Sequence, residues 1–543
     1  MYNKSMHIRR DACCFFFVSG VLFLLISLPY LWAAQAAGQN YVFGGMLLNP
    51  MDGNSYLAKM YQGWQGNWQF RLPFTADPGE EAYLFLYYLM LGHLARLDGL
   101  SLLLTFHLAR LGASLLMLLA LWRFYVRVMP SPDLYRLAFA LTVFGSGLGW
   151  LAISFGILTS DLWVAEAYPF LSAYANPHFP LGLAMLVWLL TPQIETDKFV
   201  KEQLSGHNFR HSIIFRMIYL LAAFALGIVM PFGVIVAVLV LGGVVVWEVL
   251  GMQLADRGSM VIASLWRSFT ARKLFLLIIG GVTVLAYDLW VTATNPVLKG
   301  WHAQNLTPSP PFWDFLLSFA PIIVLALPGA WSAWRSQRAQ QNVLLVWFAV
   351  GVMLLYLPFG LQRRFMLGLA IPFAGLAALG LQALARGNKR RTLAMIVWLF
   401  LLVLPTNLVV LMTSVHGVLT HAPLLYLGRG EAQALEWLAK NTPEEAVILA
   451  ATDTGMFIPA HSGRRVVYGH PFETLAARER AAMVNRLFQG AATHKDLELL
   501  QEVDYVFVGP RERAWGEAAF TGGMVVVYQA GGVTVYQVGE GNE

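Results

Sequence analysis

Apolar stretches of about 20 residues recur along the first 412 residues of this chain. A helix of that length crosses the hydrocarbon core of a bilayer, which is about 30 Å thick. The chain is 57% hydrophobic and only 13% charged, whereas soluble domains carry roughly 25% charged residues. The sequence therefore predicts an all-α polytopic membrane domain at residues 1–412.

About eleven transmembrane helices are predicted in this domain. They cover residues 14–36, 100–127, 134–157, 178–193, 213–231, 232–251, 274–293, 313–333, 341–360, 365–385 and 392–412. The first stretch follows Lys4, Arg9 and Arg10 and resembles a signal peptide. Its apolar part is longer than the roughly 7–15 residues of a signal-peptide core, so an uncleaved first span is predicted.

The segment at residues 82–97 decides the topology. It is apolar but short, and it contains His93 and Arg96. Counting it as a span would invert every later loop, whereas an interfacial amphipathic helix keeps Arg123 and Arg127 in the cytoplasm. We therefore expect an interfacial helix, and 82–97 as a span remains the alternative.

Basic residues are distributed unequally between the two sides that this topology defines, as the positive-inside rule requires. The twenty on the inner side are Lys4, Arg9, Arg10, Arg123, Arg127, Arg136, Lys198, Lys201, Arg210, Arg216, Arg257, Arg267, Arg272, Lys273, Arg335, Arg338, Arg386, Lys389, Arg390 and Arg391. The five on the outer side are Lys59, Arg71, Lys299, Arg363 and Arg364. A multi-pass protein of the cell membrane is predicted, with a cytoplasmic N-terminus and outer loops at 38–81, 158–177 and 294–312.

Residues 413–543 have the composition of a small soluble α/β domain, which this topology makes extracytoplasmic. Short strand-like runs are expected at 447–451, 466–468, 505–508, 524–529 and 533–538, with helices at 431–440, 475–488 and 496–502. A glycine pair at 531–532 predicts a hairpin between the last two strands.

Several functional classes receive no support from the sequence. The net charge of +6 is small for 543 residues, so nucleic-acid binding is not indicated. The two cysteines are adjacent, which leaves no disulfide framework and no zinc spacing. The C-terminal segment matches no phosphate loop, nucleophile elbow or metal motif.

Three outer carboxylates are candidate catalytic residues. Asp52 lies in the first outer loop, where capping of the next helix is the simpler interpretation. Asp161 and Glu166 lie in the second outer loop, with His178 just beyond, and solvent-facing acids are the simpler interpretation. The topology nevertheless places all three carboxylates at one membrane face, where carboxylates serve as bases, metal ligands or sugar clamps.

Candidate substrate-binding residues lie in the third loop and before the tenth span, and His178 and Arg110 complete this set. The loop offers Trp301, His302 and Gln304 for a polar ligand. The adjacent Arg363 and Arg364 stand on the side that disfavours basic residues. Snorkelling explains them, and so does an anionic partner such as a lipid phosphate.

The order of these features resembles the GT-C superfamily of membrane glycosyltransferases, which includes protein mannosyltransferases and aminoarabinose transferases. One span, an outer loop with an early Asp and an Arg-bearing span (HLARLGAS, with Arg110) come first. An acidic second loop and an outer C-terminal domain follow. LPFGLQRRFMLGLAIPFAGLAALG and EAQALEWLAKNTP resemble bacterial members without an assigned substrate.

The resemblance implies transfer of a sugar from a polyprenyl-phosphate donor to an extracytoplasmic acceptor. By it, Asp52 is the general base, Asp161 and Glu166 loosely match a second acidic motif, and Arg363 or Arg364 binds the donor phosphate. Membrane lipids are further expected partners, and protein partners are not predicted. Metal dependence varies within the superfamily, so a divalent metal is compatible with the resemblance but is not predicted.

Two other functional classes compete with this interpretation. A transporter or flippase for a lipid-linked or polar solute predicts midplane charges and repeated halves, and the sequence has sparse charges and no repeat. A non-catalytic membrane scaffold predicts that Asp52→Asn leaves function intact.

Overall fold

The computed structural model describes residues 2–193, 209–254, 268–358 and 360–539. Four of the predicted cytoplasmic basic residues, Lys198, Lys201, Arg257 and Arg267, lie outside the described residues. The helices of the N-terminal half are α1 Tyr2–Ala36, α2 Pro50–Gln65, α3 Leu86–Asp98, α4 Leu102–Val128, α5 Pro132–Phe144, α6 Gly149–Ala152, α7 Pro169–Ala175, α8 His178–Leu190, α9 Phe209–Val229, α10 Pro231–Leu254, α11 Phe269–Leu277 and α12 Thr283–Thr294. Those that follow are α13 Pro296–Gln304, α14 Phe312–Phe319, α15 Ile322–Ser336, α16 Asn342–Tyr356, α17 Ala370–Ala385, α18 Lys389–Val403, α19 Pro405–Leu419, α20 Arg429–Asn441, α21 Thr452–Gly455, α22 Ile458–Ser462, α23 Ala477–Phe488, α24 His494–Glu498 and α25 Pro510–Trp515.

Seven helices of the described chain are long and apolar enough to cross a membrane, which makes this a multi-pass membrane protein. They are Arg9–Ala36, Leu102–Val128, Pro132–Phe155, Pro231–Gly251, Phe269–Thr294, Ala339–Tyr356 and Lys389–Leu419. An eighth span is formed if the bent pair α14 and α15, which meet at 81°, is counted as one. Three shorter apolar helices coincide with the remaining predicted spans, namely His178–Leu190, Ile213–Val229 and Ala370–Ala385. Every predicted span therefore overlaps a helix, while the number eleven and the orientation of the termini stay predictions.

The ambiguous segment at 82–97 is a short helix, α3. Its 13 residues span about 20 Å at 1.5 Å per residue, which is less than the thickness of a hydrocarbon core. α3 packs against α2 in backbone contact. A Cβ added at Gly63 would lie 2.0 Å from the Leu89 carbonyl oxygen, and one at Gly92 would lie 1.9 Å from that of Met60. Its placement at the membrane surface stays a prediction.

Two compact units make up the chain. The first comprises Met1–Ile26, Arg110–Tyr287 and Thr307–Met412, and it is built of helices. The second comprises Ser27–Ala109, Asp288–Leu306 and Thr413–Glu543. The first outer loop and α13 thus belong to the same unit as the C-terminal segment. The predicted division into domains at 412 and 413 stays a prediction.

The second unit contains a five-stranded sheet. Its strands are β3 Val447–Leu449, β4 Arg465–Val466, β5 Tyr505–Val508, β6 Val525–Ala530 and β7 Val533–Gln537, after a separate antiparallel pair of β1 Tyr41–Phe43 and β2 Tyr426–Gly428. The order is β4-β3-β5-β7-β6, with β3 parallel to β4 and β5. β6 and β7 form the predicted hairpin.

Residues alternate between the two faces of this sheet, as the pleat requires. Ile448 and Phe507 join one buried apolar cluster, and Val447 and Val506 join the other. All five predicted strands and the three predicted helices of this segment are present, with ends displaced by a few residues. The small α/β fold predicted for this segment is therefore confirmed.

Candidate functional site

Asp52 lies in the first turn of α2, which begins at Pro50 after Asn49. The interpretation that Asp52 caps a following helix is wrong, because Asn49 occupies the cap and Asp52 is already helical. A carboxylate in the first turn is stabilised by the positive end of the helix dipole. Its side chain is 48% exposed, so a substrate is able to reach it.

His470 faces this carboxylate from the loop after β4. Its Nε2 lies 3.5 Å from Asp52 Oδ1, and its side chain is only 2% exposed. The other ring nitrogen, Nδ1, accepts a hydrogen bond from the Phe472 amide at 3.1 Å. A neutral imidazole that accepts at Nδ1 carries its proton on Nε2, the nitrogen that lies near Asp52, although the 3.5 Å separation does not form a hydrogen bond.

A buried ion pair fixes the same loop to the same face of α2. Lys59 Nζ lies 2.6 Å from Glu473 Oε1, and the Lys59 side chain has no exposed surface. Ser55 Oγ donates to that carboxylate oxygen at 2.5 Å and accepts from Lys59 Nζ. Because residues 52, 55 and 59 lie on one face of the helix, His470 and Glu473 contact α2 at two successive turns.

The ionisation of Glu473 follows from these partners. Burial alone would raise the pKa of Glu473, but the positive charge of Lys59, the His470 side chain and the hydrogen bonds from Lys59 and Ser55 hold it below its usual value. The carboxylate is therefore charged at neutral pH, and it neutralises the buried ammonium group.

Aromatic rings enclose the Lys59 ammonium group. It lies 4.4 Å from the ring centroid of Phe85, 5.2 Å from that of Tyr56 and 5.5 Å from that of Phe70. Trp301, from α13, contacts Phe85 edge to face at 6.1 Å. The rings shield the ion pair from water, which strengthens it.

The other predicted residues of the third loop differ in their surroundings. Gln304 Nε2 donates to the Thr474 carbonyl oxygen at 2.7 Å, and Gln304 Oε1 accepts from the Ala476 amide. These contacts are structural and tie α13 to the loop that carries His470. The neighbouring His302 is exposed.

Asp161 lies in a buried polar cluster of the first unit. Its Oδ2 accepts from the amides of Gly147 and Gly149 at 3.1 and 3.0 Å, and its Oδ1 accepts from Thr159 at 2.6 Å. Burial raises the pKa of Asp161, although the hydrogen bonds from Thr159 and Gly149 oppose the shift. The expectation of a solvent-facing acid is wrong, because Asp161 has no exposed surface.

A second buried carboxylate, Asp314, stabilises the same cluster. It accepts from the Ser160 amide at 2.9 Å and from the Ser318 hydroxyl at 2.7 Å. Gly149 is required here, since a Cβ at that position would lie 2.5 Å from Asp161 Oδ1. The cluster fixes the backbone that precedes Glu166.

Glu166 and Arg364 lie together in the first unit. Arg364 Nη1 is 3.8 Å from Glu166 Oε1, and the Arg364 side chain is 41% exposed. Glu166 is also buried, at 8% exposed, which again contradicts a solvent-facing acid. The adjacent Arg363 places its guanidinium 4.5 Å from the centroid of the Trp163 ring. A partly exposed arginine pair thus packs against a buried acid and an aromatic ring.

Arg110 and His178 complete the predicted set. Arg110 is 1% exposed and donates to the carbonyl oxygens of Ala173 and Ile26 at 2.8 and 3.1 Å. These contacts hold α4 against α7 and α1, so the role of Arg110 is structural. His178 is the first residue of α8, half-buried, with its ring 4.0 Å from that of Phe179.

The two units thus contain separate groups of candidate residues. Asp52, Trp301, His302 and Gln304 lie in the second unit, and the other six lie in the first. Sequence reasoning missed the partners His470 and Glu473, for which it offered no signal. It counted Lys59 only as a loop cation, although the spacing from Asp52 indicated a shared helix face. No group of three His, Cys, Asp or Glu side chains in the described residues could hold a metal ion.

Comparisons with known proteins establish the fold. No protein-family model matches the chain, and no curated protein matches it. The structure is similar to that of the oligosaccharyltransferase AglB from Archaeoglobus fulgidus in complex with an inhibitory peptide and a dolichol-phosphate. That similarity has a TM-score of 0.56 and 14% identity, and it covers 99% of this chain and 75% of that chain. It is also similar to the Archaeoglobus fulgidus oligosaccharyltransferase in complex with Zn and sulfate, with a TM-score of 0.55, 14% identity, and coverage of 96% and 73%.

ArnT from Cupriavidus metallidurans aligns over 95% of this chain and 97% of that chain, at 16% identity and a TM-score of 0.44. AglB is a GT-C glycosyltransferase. The resemblance read from the sequence is therefore confirmed for the fold: this chain has the fold of the GT-C membrane glycosyltransferases.

Proposed function

We propose that the chain is a membrane glycosyltransferase, which moves a sugar from a polyprenyl-phosphate donor to an acceptor outside the cytoplasmic membrane. The observation that carries the proposal is the AglB fold over 99% of the chain. The AglB complex contains a dolichol-phosphate, which is a lipid phosphate of the class proposed for the donor here. The proposal includes a cytoplasmic N-terminus and an outer second unit.

Asp52 is the general base in this proposal. It removes the proton of the acceptor nucleophile as that atom bonds to the anomeric carbon of the sugar. The bond between the anomeric carbon and the phosphate oxygen breaks, and its electron pair leaves with the polyprenyl phosphate. The half-exposed carboxylate suits this task, since it is accessible and anchored on a rigid helix.

His470 is a positioning residue for Asp52. Its Nε2 lies 3.5 Å from Asp52 Oδ1, and this close packing restricts the rotation of the Asp52 side chain. The Lys59–Glu473 pair in turn fixes the loop that carries His470. Catalysis needs a base held within a few tenths of an ångström, and this two-level contact provides such a support.

Arg363 and Arg364 bind the donor phosphate. Arginine side chains match phosphate oxygens in pairs of hydrogen bonds and stabilise the charge that develops on the leaving group. Glu166 and Trp163 orient the two guanidinium groups. Asp161 acts indirectly, because it fixes the loop that leads to Glu166. His178, Trp301 and His302 remain candidates for contacts with the sugar or the acceptor.

A donor panel tests this function. Purified protein in liposomes is supplied with radiolabelled polyprenyl-phosphate sugars and cell-envelope acceptors, and two products are quantified: the glycosylated acceptor and free polyprenyl phosphate. We expect both products in a one-to-one ratio with at least one donor. Movement of intact donor across the bilayer without either product would refute the proposal in favour of a flippase.

A further inference from the structure

A basic cleft opens at one end of the first unit, where α15 and α17 end and α18 begins. Its cavity volume is about 620 Å³, and the residues that matter to the argument are Trp331, Ser332, Arg335, Leu384, Arg386 and Arg391. α18 opens the candidate span Lys389–Leu419, so the cleft lies at a boundary between membrane and water. The sequence topology assigns this end to the cytoplasm.

The two helices that form the walls are held at a fixed distance. A Cβ at Gly329 of α15 would lie 1.7 Å from the Leu376 carbonyl oxygen of α17, and one at Gly380 would lie 1.9 Å from that of Leu325. The backbones are therefore in contact at this level. Bulky residues follow, including Trp331 and Arg335, and they line the cleft beyond the glycines.

Positive charge accumulates in the cleft without an internal counterion. None of Arg335, Arg386 and Arg391 has a carboxylate within ion-pair distance among the residues that the structure describes. Lys389, Arg390 and Arg391 occupy the first turn of α18. Cations there oppose the helix dipole, which favours an anion at a helix N-terminus. An external anion would relieve this conflict.

The shape of the cleft suits a lipid rather than a small ion. The Arg335 guanidinium lies 4.6 Å from the centroid of the Trp331 ring. Trp331 is 54% exposed and Leu384 is 39% exposed. Such side chains contact acyl chains near the headgroup level, while arginines reach the phosphate. Ser332 lines the same cavity.

We infer that this cleft binds the headgroup of an anionic glycerophospholipid, with its phosphate between Arg335, Arg386 and Arg391. The inference is independent of the glycosyltransferase proposal. Basic pockets between membrane helices are a recognised form of anionic-lipid site.

Native mass spectrometry of the detergent-purified protein tests the inference. Phosphatidylglycerol is titrated against phosphatidylcholine, and the affinity of the first bound lipid is measured. We expect the triple variant R335Q/R386Q/R391Q to lose about a hundredfold in affinity for phosphatidylglycerol, since each basic residue contributes about fivefold at an anionic surface. The matched control R9Q/R10Q/R123Q removes three exposed cations of the same predicted side outside the cleft, and it should bind normally.

A second variant tests the cavity of the cleft independently of its positive charge. S332F keeps all arginines and fills the cavity, and it should weaken phosphatidylglycerol binding at least tenfold. Melting curves of each variant confirm that it is folded. Equal affinity for the two lipids, an equal loss in the matched control, or full binding by S332F would each overturn the inference. Displacement by inorganic phosphate alone would also overturn it, since the ligand would then be free phosphate.

Discussion

The contact of Lys59 with Glu473 provides a quantitative test of how α2 is held. The pair is nearly dry, with side chains 0% and 11% exposed. Removal of one partner from a buried ion pair costs about 3–5 kcal/mol, because the other charge is left without compensation. We expect K59M to lower the free energy of unfolding of the second unit by about 3–5 kcal/mol. E473Q should fall at the lower end, since the amide oxygen still accepts from Ser55 and Lys59.

A double-mutant cycle separates the pair from its surroundings. Replacing both partners with apolar residues often costs little, so K59M/E473L should lose only about 0–2 kcal/mol. Since K59M and E473L should each lose about 3–5 kcal/mol on their own, the coupling energy is then at least about 4 kcal/mol. The matched control is the exposed pair Lys440 and Glu436, which is 68% and 65% exposed. K440M should change stability by less than about 0.5 kcal/mol.

Urea unfolding in mild detergent, followed by tryptophan fluorescence, measures these values. A loss below about 1 kcal/mol for K59M, or additive effects in the double variant, would show that Lys59 and Glu473 do not form a dry, coupled pair. The first outcome would mean that the pair is hydrated in solution. The second would mean that each residue acts independently of the other.

Three further predictions concern burial and topology. D161A should destabilise the first unit by about 2–3 kcal/mol in urea unfolding, because the amides of Gly147 and Gly149 lose their acceptor. D161N keeps an oxygen there and should lose about 1 kcal/mol. Equal losses in the two variants would contradict the role of Asp161 as a buried acceptor. Burial lowers the pKa of His461 to about 4, below the roughly 6.5 of an unfolded chain. The stability that neutral His461 allows is therefore complete above pH 6.5 and is lost as the pH falls towards 4, by at most about 3 kcal/mol. An H461N variant should show a flatter dependence of the free energy of unfolding on pH in that window. An unchanged dependence would contradict the role of His461. In a background without Cys13 and Cys14, a cysteine at position 130 should react only with a membrane-permeant thiol reagent, and labelling by an impermeant reagent from outside would reverse the predicted topology.

Much of the fold could be predicted because the bilayer imposes strong patterns. Apolar stretches of about 20 residues marked every region where a membrane-length or shorter apolar helix lies. In the C-terminal segment, the strand Tyr505–Val508 was predicted with its observed limits, since its apolar run is bounded by Asp504 and Gly509. Local patterns of this kind depend only on neighbouring residues.

The candidate site depended on contacts that local patterns do not contain. Glu473 contacts Ser55 across 418 residues of chain, and the partners of Asp52 and Lys59 arise only when the chain folds. The burial of Asp161 was missed for a similar reason, since its carboxylate accepts hydrogen bonds from the amides of Gly147 and Gly149 at the start of α6. Acidic residues in a loop usually face solvent, and here the packed loop overrides that tendency.

The role of Asp52 as the base of sugar transfer can be tested directly. With a donor that the wild-type protein uses, single-turnover transfer rates of D52N and of D98N decide it most directly. Asp98 is an exposed carboxylate of the same unit, at the end of α3, and it is the matched control. We expect D52N to lose about 10²–10⁴-fold in rate while still binding the donor, and D98N to transfer at the wild-type rate. Transfer by D52N within a factor of two of the wild type would show that Asp52 is not the base.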